Sequence, residues 1–499
     1  MTEKKNRPDN MRKVLEMLEK RLAGKRVFRY MKENEIIEIS AEQFFRDVRA
    51  AAARLRTRLP ARSHIGIMGA NSYEWLVGLC AVFWSGSTAV LLDREITADE
   101  LRIRSEKTDV RGMICDGSAE QTARQAFPSG NMTILSTECI RTERNMAVQL
   151  TEAEETCRDK DKDSLACIFF TSGTTGGSKA VMVSERGLTV GICHRINDRS
   201  FRSLLAVLPF HHLSGFSSVL NALYLGAEVC IATDIKYFYR YLEAMKPDYV
   251  FVVPSMLRML ARKLKNGGPN GKLLGWDLHL INCGGATFCP EFLQMLLDRD
   301  ITVLQGYGAS EAGAIGFLWE MTTDRPDTIG KPPAGMEIKI VDGELYLKSE
   351  AVMMGYYGDK EETKKVLRDG WYATGDLCRM DDDGFIYLTG RRKNLIILAN
   401  GENVSPEEIE KNLYQYDEIC EVVVHAEGEL ITASVFPRYP EGASEEEREE
   451  IKDQIRKDIA VYNSLQPVYR QIMKIRFLDH PAGRTSSGKL IRSGILEEE

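Results

Sequence analysis

Residues 171–181 read TSGTTGGSKAV, directly after the apolar run LACIFF at 165–170. Glycine adopts φ > 0 at little steric cost and lets a backbone approach a ligand closely. Successive amides and hydroxyls in such a loop form a concave donor surface suited to phosphate oxygens. Lys179 adds a full positive charge. The chemistry is that of a nucleotide-phosphate loop, but not of the Walker kind, which ends in Gly-Lys-Ser/Thr. Here the order is Ser178, Lys179, Ala180, and Val181, Met182 and Val183 then read as a second strand instead of a helix start. The dull alternative is a flexible Ser/Gly/Thr surface loop with a chance lysine.

The rest of the chain is compatible with a large soluble protein. Its 499 residues suffice for two or more domains with sizeable cores. It is 43% hydrophobic and 28% charged, with a net charge of −7. That balance gives no support for a nucleic-acid partner, so an anionic ligand must be held by local donors. The 11 cysteines are scattered without metal spacing, which points to free thiols in a reducing cytoplasm and against a structural zinc. The start MTEKKNRPDNMRK has no apolar core, so no secretory signal is expected. Residues 75–92 are uncharged and near the roughly 18 residues a membrane span needs. Ser85, Gly86, Ser87 and Thr88 interrupt them, so a buried helix followed by a buried strand is the expectation, and no span.

Met11, Val14, Leu15, Leu18 and Leu22 mark an opening amphipathic helix. Between about 65 and 310 short apolar strands alternate with helical patterns, as expected for mostly parallel sheets covered by helices. Strands are expected at 203–208, 227–232, 249–253, 278–281 and 301–304, with helices at 217–224, 236–244, 255–264 and 290–297. Ligands in such folds bind beyond the carboxyl ends of the strands, and each suspect motif is read as following a strand. Near 335 the pattern changes to a hairpin with an Asp342-Gly343 turn. After GRRKN at 390–394 a compact α+β pattern begins, with a helix from Pro406, strands at 421–425 and 430–435, an acidic helix from Ser444 and a last strand at 474–478.

Three further segments carry chemistry. QGYGASEAG, residues 305–313, offers Tyr307 to stack on a base and Glu311 to hold Mg²⁺, which takes one or two carboxylates plus substrate phosphates. WYATGDL, residues 371–377, places Asp376 where a carboxylate can accept from ribose hydroxyls. PAGRTSSGKLIR, residues 481–492, presents Lys489 near the end of the chain. Within it GRTSSGK imitates a Walker core, but Leu490 stands where Ser or Thr is required and too little chain follows for a P-loop fold. Singly, each residue is also readable as core, helix cap or solvated charge.

Taken together and in this order, these motifs resemble the adenylate-forming (AMP-binding) superfamily of acyl-CoA synthetases, peptide-synthetase adenylation domains and firefly-type luciferases. LPFHHLSG (208–215), GGA (284–286), GRRKN and the terminal SSGK add to the match, which runs from about residue 35 to the end. GRRKNLIILANGENVSPEEIE is most similar to bacterial long-chain fatty acid–CoA ligases. Ser178 and Ala180 depart from the usual Pro and Gly, and Ser310 replaces a commoner Thr.

The resemblance implies an α/β fold. Its large N-terminal domain (1–390) has mostly parallel helix-covered sheets and a small β-barrel-like part; a small, mobile α+β C-terminal domain (391–499) follows, hinged near Lys393. It also implies two half-reactions. A small-molecule carboxylate attacks the α-phosphorus of ATP, releasing pyrophosphate; a thiol, usually that of coenzyme A, then displaces AMP. Lys489 would bridge carboxylate and α-phosphate, His212 would stand beside the carboxylate, and Glu311 would hold Mg²⁺. Thr171, Ser172, Gly173, Thr174, Thr175, Gly176, Lys179 and Ser310 would contact phosphates. Gly284, Gly285, Ala286, Gly306, Tyr307 and Gly308 would flank adenine, Asp376 and Arg391 would grip ribose, and the loop at Gly401 would meet the thiol tunnel. His211 stands where an aromatic is usual, with a core histidine as the even alternative. The leading expectation is an aliphatic, fatty acid. The rivals are an adenylating enzyme loading an acyl carrier protein thiol and a non-catalytic nucleotide-binding module; a luciferase-like oxygenase fits least.

Overall fold

The computed structural model describes residues 7–137, 160–171, 178–194, 200–266, 278–284, 290–314, 316–398, 402–428, 430–440 and 442–481. The strand Leu165–Thr171 lies inside a seven-stranded sheet. On one side it pairs in parallel with Thr88–Leu92, and His64–Met68, Val110–Cys115 and Thr133–Ser136 follow, all parallel. On the other it pairs antiparallel with Lys179–Ser184, which carries the short strand Gly355–Tyr356. Thr88–Leu92 is buried at every position, as a parallel strand covered on both faces must be. The helix before it, Tyr73–Trp84, is buried from end to end. The uncharged run is therefore core, and no described helix is long and apolar enough to cross a membrane.

A second sheet of eight strands runs parallel from Thr302–Tyr307 through Leu280–Gly284, Tyr249–Val252, Ser203–Ala206 and Glu228–Ile231 to Arg26–Lys32. Antiparallel strands Phe317–Glu320 and Glu35–Ser40 finish its two edges. The opening helix Met11–Arg21 begins at Asn10, whose side chain accepts from the Lys13 amide. Its apolar face joins the core that the two sheets share.

A third sheet is antiparallel throughout its main path: Thr328–Gly330, Ile386–Arg391, Trp371–Met380, Glu344–Ser349, Met336–Val341. The expected hairpin is present, with φ of 49° at Asp342 and 75° at Gly343, the left-handed pair that a tight type I′ turn needs. Its described strands run as an open path. Beyond it, Ile419–Glu427, Leu430–Pro437 and Lys474–Phe477 form a small sheet packed by helices Pro406–Leu413 and Glu445–Ser464 around a core of its own, from Ile396 to Ile472. The architecture is thus α/β, with a large body of mixed sheets and a smaller α+β C-terminal part.

Two differences from the sequence expectation bear on the site. The helix expected at 217 begins earlier, as Leu213–Leu225, with His212 at its N-cap. The second concerns Asp376 and Arg391. They do not follow strands but sit within Trp371–Met380 and Ile386–Arg391, opposite each other in the ladder.

Candidate functional site

Where the second and third sheets meet, Tyr307 ends strand Thr302–Tyr307 and turns its hydroxyl to Asp376 Oδ2 at 2.6 Å. Arg391 Nε reaches the other oxygen at 2.8 Å, and the Asp376 amide donates to Thr374 Oγ1 at 3.0 Å. Tyr307 and Asp376 are 9% and 4% exposed. Burial, and then the Asp376 carboxylate, push the Tyr307 phenol well above its ordinary range, so it stays a donor. A carboxylate has about four acceptor positions; Tyr307 and Arg391 use two. The buried carboxylate is thus held in place with acceptor capacity left over.

At the first sheet, Thr171 closes the loop hairpin opposite Lys179, and Ser178 Oγ donates to the Thr171 carbonyl at 3.1 Å. The Lys179 ammonium reaches Glu362 Oε2 at 2.8 Å and lies 4.9 Å from the centre of the Tyr356 ring. Hydrogen bonds from Lys179 and Lys365 hold the Glu362 carboxyl down at about 2. The Tyr356 hydroxyl in turn donates to Glu311 Oε1 at 3.3 Å. Glu311 sits in the short turn Ser310–Ala312 that follows Tyr307, and its carbonyl accepts from the Met353 amide at 2.9 Å. Tyr356 therefore connects the loop lysine to the carboxylate. Among the described residues no group of three or more His, Cys, Asp or Glu could hold a metal by itself.

A cleft of about 1430 Å³ runs between the Asp376 cluster and the base of the loop hairpin at Thr171 and Ser178. Thr171, Ser178, His211, His212, Gly284, Gly306, Tyr307, Gly308, Ser310, Asp376 and Arg391 line it; Glu407, Glu408 and Lys411 of helix Pro406–Leu413 face it from the C-terminal part. His211 is not core: its Nε2 stands 3.5 Å from Asp93 Oδ2, and its ring centre is 4.3 Å from that of His212. Asn71 positions this histidine turn, donating to the Leu208 carbonyl at 2.9 Å and accepting from the Phe210 amide at 2.8 Å. Lys393 lies in the turn Arg392–Asn394 between the third sheet and the C-terminal part.

Several of these residues escaped the sequence reading. Asn71, Glu362 and Tyr356 carry no local motif, and Arg104, which lines the cleft beside the Phe170 ring at 5.1 Å, reads as an ordinary helix charge. One signal was readable: Ser214, Ser217, Ser218 and Asn221 recur at i, i+3, i+4 and i+7, and all four line the cleft. Phe216, Val219 and Leu220, which lie between these positions, are buried. Ser172, Gly173, Thr174, Thr175, Gly176, Gly285, Ala286, Gly401 and Lys489 lie outside the described residues.

Comparison with known proteins matches this arrangement to one family. The model described as "AMP-binding enzyme" matches residues 18–357, and that described as "AMP-binding enzyme C-terminal domain" matches 393–498. A 2-succinylbenzoate--CoA ligase of Staphylococcus aureus is 27% identical over 76% of this chain and 81% of that protein. One from Enterococcus faecalis is 26% identical over 88% and 89%. The Peroxisomal OPC-8:0-CoA ligase 1 of Arabidopsis thaliana is 29% identical over 68% and 64%. Among solved structures, the O-succinylbenzoate Coenzyme A Synthetase (MenE) from Bacillus subtilis in complex with AMP has a TM-score of 0.79 at 21% identity, covering 97% of this chain and 98% of that one. ATP-bound MatB from Rhodopseudomonas palustris has a TM-score of 0.80 at 22% identity, over 98% of each. These two show a common fold.

Proposed function

The chain belongs to the AMP-binding enzyme family, an AMP-forming acid–CoA ligase in class, and from that membership we propose that its cleft adenylates a compact carboxylic acid and passes the acyl group to coenzyme A. The observation that carries the nucleotide assignment is the Tyr307–Asp376–Arg391 cluster, a buried carboxylate with spare acceptor positions at the wall of the cleft. Two adjacent ribose hydroxyls are donors of matching number. Thr171, Ser178, Lys179 and Ser310 are assigned to the phosphates, together with residues 172–177 of the loop, and Gly306, Gly308 and Gly284 to the adenine wall. Lys179 must exchange Glu362 for phosphate oxygens, an exchange of one anion for another.

Glu311 fits a magnesium ion: one carboxylate oxygen accepts from Tyr356, and this ion typically takes one or two carboxylates plus substrate phosphates. Bound there, it would offset phosphate charge. Lys489 and His212 are assigned to the reacting carboxylate.

For the acid itself, a compact one is proposed in preference to the fatty acid expected from the sequence. Two of the curated relatives named above act, by their names, on 2-succinylbenzoate, and the cleft wall on helix Leu213–Leu225 is polar. The test is acid-dependent ATP–pyrophosphate exchange followed by thioester formation with free coenzyme A. Exchange with no acyl-CoA would assign the acceptor to a carrier-protein thiol; absence of exchange across aliphatic, aryl and amino acids would remove the ligase function.

A further inference from the structure

We infer that the acid pocket is built for a short acid whose far end carries a hydrogen-bond donor, a hydroxyl or an amine, instead of a plain alkyl chain or a second carboxylate; this rests on the ligase function proposed above. Helix Leu213–Leu225 has the sequence LSGFSSVLNALYL, with no charged residue. One face is core, where Phe216 stacks on Phe169 at 5.5 Å and 7°. The other presents Ser214, Ser217, Ser218 and Asn221 to the cleft. A pocket for an alkyl chain would be lined there by apolar side chains, since hydrophobic burial is what holds such a chain.

Two of these four side chains face the cleft as acceptors. Asn221, 7% exposed, donates both amide hydrogens to backbone carbonyls, Ile192 at 2.8 Å and His194 at 2.7 Å. Ser218 donates its single hydroxyl hydrogen to the Gly215 carbonyl at 2.7 Å. An amide and a hydroxyl whose hydrogens are spent retain only acceptor capacity. A hydroxyl or amine satisfies such acceptors, whereas a carboxylate meets them oxygen to oxygen. The cations that line the cleft, Arg104, Lys331, Arg391 and Lys411, belong to other segments.

The pocket wall is also closed between two of its lining segments. A Cβ added at Gly191 would fall 2.1 Å from the Ala314 Cβ. The helix Glu185–Ile192 thus abuts the turn after Ala312 backbone to side chain, leaving no slot for a chain to pass between them.

The test uses matched acids on the full-length protein: para-hydroxybenzoate against benzoate, para-hydroxyphenylacetate against phenylacetate, with decanoate and 2-succinylbenzoate as outliers. Binding is read by calorimetry and turnover by pyrophosphate exchange. A site built to hydrogen-bond a hydroxyl rejects the analogue lacking it far more strongly than a missing methylene is rejected, so a preference of roughly 10²-fold for the hydroxy member is expected, collapsing in Ser217→Ala/Ser218→Ala. Equal binding of the twins, a preference for decanoate or 2-succinylbenzoate, or a preference that survives the double variant overturns the inference. Discrimination in binding with no exchange would sink the ligase function and leave the pocket standing; exchange without discrimination would do the reverse.

Discussion

On the function proposed above, nucleotide affinity turns on Asp376, whose orientation is enforced by two partners from separate strands. Removing the Tyr307 hydroxyl leaves Arg391 as one support and frees the carboxylate to rotate. A hydrogen bond to a charged group contributes about 1.5–3 kcal/mol, so Tyr307→Phe is expected to raise the KM for ATP roughly tenfold or more with a smaller change in kcat. Pyrophosphate release measured against ATP concentration checks this, and an unchanged KM would detach the pair from the nucleotide. The same phenol has a pH signature. Its pKa is raised in the folded state, so the native chain holds this proton more tightly than the unfolded one. Its contribution to stability is therefore complete below the unfolded phenol value of about 10 and lost as pH rises beyond it. Tyr307→Phe should accordingly start from a lower stability and lose less of it than the parent as pH rises above about 10, as denaturation followed against pH would show. Glu311 gives a third outcome at this scale. Glu311→Gln keeps an acceptor for the Tyr356 hydroxyl but loses the charge, and the Mg²⁺ concentration for half-maximal exchange should rise several-fold; an unaltered Mg²⁺ dependence would move the ion elsewhere.

At the scale of elements, the phosphate-loop strand is anchored from its start. Lys160 Nζ donates to the Leu165 carbonyl at 2.6 Å, to Ser87 O at 2.8 Å and to Thr88 Oγ1 at 3.0 Å, and lies 3.6 Å from Glu185 Oε1. Glu185 accepts from the Met11 amide at 2.8 Å. Burial pushes Lys160 down and Glu185 up, each toward neutrality, yet the hydrogen bonds keep the pair whole. Lys160→Met would strand a buried carboxylate, a loss of about 3–5 kcal/mol. Chemical denaturation measures it, and a loss below about 1 kcal/mol would show the pair to be replaceable. Nothing in the sequence announces this pair, because its members come from a loop and a helix start that only the folded sheet brings together. The loop hairpin itself was legible, since glycine, serine, threonine and a lysine between two apolar strands act locally. Tyr307 and Asp376 were each visible, but their bond spans 69 residues and exists only where two sheets meet. The serine stripe on Leu213–Leu225 has helical period in plain view, and the apolar residues between its members are core, but which face meets a cleft is decided only by the packed sheets.

For the whole molecule, the decisive property is that Lys179 and the small C-terminal sheet belong to separately packed parts. Lys179 is fixed to the first sheet, whereas residue 489 follows the small sheet whose core is independent of the main body. Among the described residues, several contacts that hold the small part to the main body in this arrangement are polar. Lys411 pairs with Asp327 at 2.7 Å, Arg392 with Glu344 at 3.0 Å, and the Arg258 guanidinium lies 5.1 Å from the Tyr414 ring centre. Partly exposed pairs of this kind contribute little, about 0–1 kcal/mol each, so they do not lock one orientation against another. An enzyme that needs Lys489 for acyl-adenylate formation and not for thioester formation can therefore withdraw it between the steps. Lys489→Ala separates the two demands. Adenylation should fall by roughly 10²–10³-fold, as for loss of one pre-oriented electrostatic contact, while thioester formation from supplied acyl-adenylate and coenzyme A should stay within a few-fold of the parent. Rapid-quench measurement of each half-reaction decides the matter. Equal loss in both would mean that the lysine serves the fold or the acid site throughout, and that the small part works from one position.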